Sequence, residues 1–169
     1  TNTAIVTIPA GTYDGTPGTA VAITLAITND EVLESDETIE LILQNPSVGL
    51  SIGDATGDAT TQNTHTYTIT DNDAAAVTIE DVTEIEGTGL QFTVSLDNAV
   101  AGAFDVTVGF TGGTATGGPA PIAAPQDYAN DPVTLNFTGT ANETHTFTVS
   151  TLDDALLEGT ESFTVSLTA

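Results

Sequence analysis

Apolar and polar residues alternate in short runs along most of this chain. In one such run, Phe92, Val94 and Leu96 fall on one face of an extended strand, while Thr93 and Ser95 fall on the other. Gly, Asn, Asp and Pro separate the runs, and no convincing helical stripe interrupts them. Strands are predicted at residues 20–28, 38–45, 65–70, 90–96, 104–110, 132–139, 145–151 and 161–167. Repeated one-sided alternation predicts an all-β fold of antiparallel sheets, packed as a sandwich or a barrel.

One acidic phrase occurs twice in the sequence. Residues 28–42 read TNDEVLESDETIELI, and residues 151–165 read TLDDALLEGTESFTV. The two copies share their pattern of acidic and apolar positions and are offset by 124 positions, because Glu34 corresponds to Glu158. A fixed offset of this kind predicts a repeated structural unit of about the same length.

The repeat also predicts where one unit ends and the next begins. The strand at 65–70 is followed by the turn DND at 71–73, and a new strand starts at Val77. We therefore expect residues 1–73 to be the C-terminal part of one unit. Residues 74–169 would be most of a second unit that lacks its last strand. On this interpretation the chain is a window on a longer tandem array.

The charge of the chain restricts the partners that it can bind. Its 169 residues include 24 Asp and Glu but no Lys or Arg, which gives a formal charge of −24. Binding to nucleic acid or to an anionic membrane surface depends on Lys and Arg, so neither partner is expected. No apolar run has the length of a membrane span, so direct membrane insertion is not expected either. Cysteine is absent, which excludes thiolate metal sites, and cations are the partners that such a surface favours.

Five acidic residues stand at predicted loop positions rather than on strand faces: Glu86, Asp127, Asp153, Asp154 and Glu158. Carboxylates crowded without basic residues repel one another unless they are protonated or bind a cation. Calcium takes about six to eight hard oxygen ligands in loose geometry, which adjacent carboxylates and loop carbonyls provide. Zinc would usually recruit His or Cys instead. The pattern therefore indicates a calcium site.

Six stretches in order carry a resemblance to a known family. They are EGTGLQFTVSL, FDVTVGF, DY, VTLNFTG, THTFTVSTLDDALLEGTESFTVSL and YTITDND. Together they resemble the Calx-beta domain, which is found in sodium–calcium exchangers and in tandem arrays of bacterial surface proteins. The resemblance covers essentially all of residues 77–169 and, as a partial unit, residues 1–73. It implies immunoglobulin-like antiparallel β-sandwiches of seven strands in tandem, with calcium ions clustered at one end of each.

The resemblance also implies two sets of calcium ligands. In the second unit they would be Glu86, Asp127, Asp153, Asp154 and Glu158. In the first unit the matching positions are Asn29, Asp30, Glu34, Asp71 and Asp73. Asn29 stands where the second unit has Asp153, and Asn72 interrupts the closing acidic run. Both differences remove charge, so we expect a weaker or smaller calcium cluster in the first unit.

These expectations favour a structural protein with no chemical step. The DND turn closes one unit just before the first strand of the next, so calcium bound there would hold neighbouring units in a fixed relation. We expect a calcium-rigidified tandem-repeat segment of an extracellular adhesin, stalk or surface filament. Its partners would be calcium ions, adjacent repeats and neighbouring copies of the same protein.

Other functions stay open at this point. A filament subunit would polymerise by strand complementation between chains, and a calcium-sensing module would regulate a larger protein. An enzyme is not expected, because the chain has no phosphate-binding loop and no plausible Ser/His/Asp order. His65 and His145 are interpreted as residues at the rim of the core. Glu37 and Glu161 are interpreted as solvated acids at strand starts.

Overall fold

The computed structural model describes residues 4–12, 21–49, 52–53 and 63–169. The chain divides into two compact units, residues 1–30 and residues 31–169. Regular structure in the described ranges consists of strands, which confirms the predicted all-β class. No helix in those ranges is long and apolar enough to cross a membrane.

The twelve strands formed by the described residues all belong to the unit of residues 31–169. In chain order they are β1 (Val32–Leu33), β2 (Glu37–Ile42), β3 (Thr64–Ile69), β4 (Val77–Ile79), β5 (Leu90–Leu96), β6 (Ala99–Val100), β7 (Phe104–Gly112), β8 (Gly117–Gly118), β9 (Tyr128–Ala129), β10 (Val133–Phe137), β11 (Thr144–Val149) and β12 (Phe163–Thr168).

Two three-stranded antiparallel sheets form an immunoglobulin-like sandwich. One sheet has the order β10-β7-β12 and the other has the order β11-β5-β4. Val108 of β7 lies between Val133 of β10 and Leu167 of β12, and Phe92 of β5 lies opposite Phe147 of β11. β2 and β3 form a separate antiparallel pair, while β1–β6 and β8–β9 are short parallel pairs.

The core lies between these two sheets. On β5, Leu90, Phe92, Val94 and Leu96 are buried, while the residues between them are exposed or half-buried. The ring of Phe92 also meets the ring of Phe163 from the opposite sheet, with centroids 6.4 Å apart. Each such side chain contributes about 1.5–3 kcal/mol when it is fully buried. The alternation predicted for residues 90–96 is therefore confirmed, and it is the alternation that creates the core face.

One predicted strand is wrong. Residues 21–28, the described part of the run at 20–28, form no strand. Their alternation is real, because Val21, Ile23, Leu25 and Ile27 share one parity, but these side chains are 38–49 % exposed. Alternation supplies an apolar face without supplying the neighbouring backbone that a hydrogen-bonded ladder requires. The other seven predicted runs each overlap an observed strand.

The turn between β10 and β11 is organised by the carboxylate of Glu143. This carboxylate accepts hydrogen bonds from the backbone N–H groups of residues 138–140 at 2.9–3.3 Å. Its Oε1 lies 2.9 Å from Nε2 of His145, whose ring packs edge-on against Phe137. His145 therefore lies at the rim of the core, as interpreted from the sequence. The hydrogen bond from His145, followed by those from Thr138, lowers the pKa of Glu143 to about 2.

The variant Glu143→Gln is expected to lower the melting temperature by a few degrees at pH 7. Because folding lowers the pKa of Glu143 from its ordinary value of 4.5 to about 2, the stabilisation is present above pH 4.5 and is lost as the pH falls through about 2. Calorimetry across this range should show the difference between variant and wild type shrinking. Glu40→Gln, on the exposed side of β2, serves as the control. A difference that stays constant down to pH 2 would contradict this role.

Candidate metal centre

Asp127 is fixed by backbone hydrogen bonds and by the buried residue that follows it. The N–H of Thr116 donates to Oδ2 of Asp127 (2.6 Å), and the N–H of Asp127 donates to the carbonyl of Thr116 (2.8 Å). The carbonyl of Asp127 accepts the N–H of Leu152 (2.9 Å). Tyr128 is only 2 % exposed and stacks on Phe163, with ring centroids 4.0 Å apart. Core packing therefore fixes the backbone that carries this carboxylate.

The loop of Glu86 packs directly on the strand end that carries Asp153. Gly87 has a φ of 77°, and a Cβ at this position would lie 2.6 Å from Cβ of Asp153. Glycine alone allows this approach. Asp154 comes next in the chain, and its Oδ1 accepts a hydrogen bond from the N–H of Leu156 (2.7 Å). This bond closes a tight turn that leads back towards the remaining acids.

Three carboxylates converge at this end of the sandwich. One carboxylate oxygen from each of Asp127, Glu158 and Glu161 lies within 4.8 Å of the other two. Desolvation raises the pKa of Glu158 above its ordinary value. The neighbouring negative charges act in the same direction, in the order Asp127, Asp154 and Glu86. Desolvation likewise raises the pKa of Glu161, followed by the charges of Asp127 and Glu158. Within the residues that the structure describes, this is the one such group of three potential metal ligands.

Of the five acids named for the second unit, the structure brings Asp127 and Glu158 within 4.8 Å of each other. The charges of Asp154 and Glu86 reach Glu158, and Asp153 lies against Gly87, the residue after Glu86. Glu161, interpreted above as a solvated acid, also belongs to this group. Glu161 remains exposed, yet one of its carboxylate oxygens lies within 4.8 Å of those of Asp127 and Glu158. Its spacing could have indicated this, because Glu161 and Phe163 are two residues apart and so share one face of an extended strand. Phe163 stacks on Tyr128, the residue after Asp127.

The donor set of this cluster fits calcium. Every side chain in it offers carboxylate oxygens, and neither His65 nor His145 belongs to it. Asp127 and Asp154 are half-buried while Glu86, Asp153, Glu158 and Glu161 are exposed, so an ion could enter from solvent. Oxygen donors spaced a few ångströms apart suit the loose coordination of calcium better than the tight octahedron of magnesium. The role of these residues as calcium ligands stays a prediction.

The acids predicted as calcium ligands in residues 1–73 form a different arrangement around Asp71. Oδ2 of Asp71 accepts the N–H of Glu34 (3.1 Å), and the N–H of Asp71 donates to Oδ1 of Asp36 (3.1 Å). Oδ1 of Asp71 also accepts the N–H of Asp73 (3.4 Å). These bonds join the closing DND turn to the acidic phrase that begins the preceding strand pair.

Asn29 and Asp30 belong to the compact unit of residues 1–30. There, Nδ2 of Asn29 donates to the carbonyl of Asp30 (3.1 Å). The structure therefore joins Glu34, Asp71 and Asp73 by hydrogen bonds and gives no geometry that relates them to Asn29 and Asp30. Calcium binding by all five stays a prediction.

Comparison with known families identifies a match over most of the chain. A family model described as the Calx-beta domain matches residues 15–81 and residues 71–169. The two matched ranges meet at residues 71–81, which include the DND turn and β4. A search of curated proteins found no match.

Replacing Glu158 and Glu161 together by Gln should have opposite effects with and without calcium. Folding raises the pKa of both carboxyls above their ordinary value of 4.5. In the ion-free chain the two groups therefore do not destabilise the fold below pH 4.5, where they are protonated. Their destabilising effect grows as the pH rises through the raised pKa values of the folded state. In EDTA at pH 7 the double variant should therefore melt higher than wild type. In calcium it should melt lower, because two ligands are lost.

The matched control is Glu40→Gln with Asp105→Asn, which removes the same charge from β2 and from the far end of β7. Melting curves of wild type and both double variants, in EDTA and in calcium, give the comparison. The same sign of change in both conditions for the Glu158/Glu161 variant would show that the cluster holds no cation.

Proposed function

The chain belongs to the Calx-beta domain family, and from that premise we propose that it is a calcium-binding structural segment of an extracellular adhesin, stalk or surface filament. Calx-beta domains are calcium-binding β-sandwich modules without a catalytic role, and they occur in extracellular regions of surface proteins. Calcium would stiffen this segment at the ends of its sandwiches and at the connection between repeats.

The observation that carries the proposal is the convergence of Asp127, Glu158 and Glu161. Their oxygens lie within 4.8 Å of one another in a chain that has no Lys or Arg to neutralise them. Desolvation, followed by the charges of neighbouring carboxylates, raises the pKa of Glu158 and of Glu161, and a bound divalent cation would offset both effects. A cation is therefore the ligand class that this geometry favours.

Calcium at this cluster would tie together three separate connections of the sandwich. Glu86 comes just before β5, Asp127 comes directly before β9, and the acids from Asp153 to Glu161 lie between β11 and β12. An ion shared among these loops links strands of both sheets at one end. Binding an ordered site in this way stabilises the fold, because the unfolded chain cannot present the same ligands together.

A second point of stiffening would lie at the connection between repeats. Asp71 links the DND turn to Glu34 and Asp36, as described above. Immediately after the turn, Asp97 and Asn98 of the second sandwich hold the linker: the N–H of Ala76 donates to Oδ1 of Asp97 (2.7 Å), and Nδ2 of Asn98 donates to the carbonyl of Ala74 (2.9 Å). A cation at Asp71 would therefore act on a linker that already has defined contacts on both sides.

The proposed partners follow from the same features. Calcium ions would bind the acidic ends, and adjacent repeats or neighbouring copies would continue the array. The complete absence of Lys and Arg gives nucleic acid no contacts for its phosphates.

Calcium is expected to raise the melting temperature of the chain well beyond any effect of ionic strength. At free calcium of about 100 times the dissociation constant, binding adds about 2.7 kcal/mol, or on the order of 5–10 °C. The measurement compares excess EDTA, calcium, and sodium chloride matched in ionic strength. The variant Asp153→Asn with Asp154→Asn should lose most of the calcium effect, and the Glu40/Asp105 control should keep it.

Two results would overturn the proposal. An equal rise in sodium chloride would mean general screening of an acidic surface. An undiminished calcium effect in the Asp153/Asp154 variant would mean that calcium acts elsewhere.

A further inference from the structure

The first copy of the acidic phrase makes a docking contact with the second sandwich. Val32 and Leu33 of this phrase form β1, which pairs in parallel with Ala99 and Val100 of β6. The N–H of Ala101 donates to the carbonyl of Leu33 (2.9 Å). Val32 and Leu33 are half-buried, although the residues on either side of them are exposed. Two apolar residues within an acidic loop therefore attach one repeat to the next.

Leu33 forms part of the wall of an apolar cleft at this end of the sandwich. The cleft has a volume of about 430 Å³, and the rest of its wall includes Ala75 of the linker, Val77, Val100, Phe104 and Leu167. Leu33 is half-buried against these apolar walls. The contact is therefore hydrophobic, and it requires no basic residue on either side.

The second copy of the phrase carries an apolar pair at the same place. The 124-residue offset maps Val32 onto Leu156 and Leu33 onto Leu157. These two side chains are 60 % and 102 % exposed. The pair thus has the sequence position of the docked residues in the first phrase, and its apolar surface faces water.

The two ends of the sandwich are different and lie far apart. β7 runs from Phe104, which lines the cleft, to Gly112, which pairs with Phe163 next to the acidic cluster. Nine strand residues span roughly 30 Å. The Leu156–Leu157 pair follows the acids at the cluster end, whereas the cleft and β6 lie at the opposite end. A contact that joins unlike ends of like units repeats head to tail without closing.

We propose that Leu156 and Leu157 form the docking site through which the sandwich of residues 77–169 attaches to another β-sandwich of its own kind. In the complex, this pair adds in parallel to the partner's equivalent of β6, and Leu157 completes the wall of the partner's cleft as Leu33 does here. The partner is identified by the contact already present in this chain. The proposal rests on the tandem-repeat function for the nature of its partner, but it does not require calcium.

A second unmodified copy of this chain is a poor partner, because the edge of its β6 is already paired. Its β6 already carries its own Val32 and Leu33, so the edge that Leu156 and Leu157 would use is occupied. A suitable acceptor is therefore the full chain with Val32→Gly and Leu33→Gly, which removes the two apolar side chains from one side of the cleft and weakens the β1–β6 pairing.

Disulfide trapping tests the contact, because the chain has no cysteine of its own. The acceptor chain also carries Val100→Cys, and the donor is the full chain with Leu157→Cys. A mixed disulfide between these two cysteines would reproduce the Leu33–Val100 pair. Paired Cα atoms of neighbouring strands lie within the range that a disulfide spans. A single chain with Leu33→Cys and Val100→Cys is the reference and should form an internal disulfide. The matched donor control is Ile85→Cys, since Ile85 is also an exposed apolar side chain at 76 %.

We expect the mixed dimer from Leu157→Cys to exceed that from Ile85→Cys several-fold. The excess should fall when the acceptor keeps Val32 and Leu33. A second pair, Leu156→Cys with Ala99→Cys, gives the same comparison if Val100→Cys perturbs the acceptor. No excess with either pair would overturn the proposal, and so would failure of the internal Leu33–Val100 disulfide, because the template contact would then be absent.

Running the trapping in EDTA and in calcium separates this inference from the proposed function. Excess trapping without any calcium effect on melting would support docking and reject the calcium role. A calcium effect without excess trapping would support the calcium role and reject docking.

Discussion

Repulsion among carboxylates at one end of the sandwich is the constraint around which this structure is arranged. Asp127, Glu158 and Glu161 would separate in a flexible chain, since no basic side chain offsets their charge. Asp127 and Glu161 are held together because residues next to or near them are packed in the core. Tyr128 follows Asp127, Phe163 follows Glu161 by two residues, and their rings stack 4.0 Å apart. Hydrophobic packing thus works against electrostatic repulsion, and the site is preorganised for a cation.

The opposite end of the sandwich is built from different interactions. There the Glu143 carboxylate closes the turn between β10 and β11 with hydrogen bonds, and Leu33 lines the apolar cleft beside β6. Neither feature depends on an ion. On the proposed function, a unit with these two ends would join its neighbours by hydrophobic contact and would be stiffened by calcium separately. This division would let strongly acidic units assemble despite their charge.

The strands and the acidic loops follow from local patterns, and so they could be predicted from the sequence. Residues 90–96 show this best, because period-two alternation alone identified the buried face. The run at 20–28 failed because alternation does not reveal whether a neighbouring backbone is present. Glu161 was missed because its place in the cluster depends on the Phe163–Tyr128 stack, a contact between residues far apart in sequence. The β1–β6 pair is equally non-local, and two residues are too few to give a periodic signal.

Terbium luminescence tests whether the carboxylates around Asp127 hold a cation. Terbium prefers oxygen ligands as calcium does, and tyrosine can sensitise its emission at short range; Tyr128 adjoins Asp127, and the chain has no Trp. The full chain is expected to show tyrosine-sensitised terbium emission, and added calcium is expected to displace the terbium and reduce that emission. Tyr128→Phe should remove most of this emission while calcium binding persists, and Asp127→Asn should weaken both. Emission that is unchanged by calcium, or equal in wild type and Asp127→Asn, would contradict a cation site at this end of the sandwich.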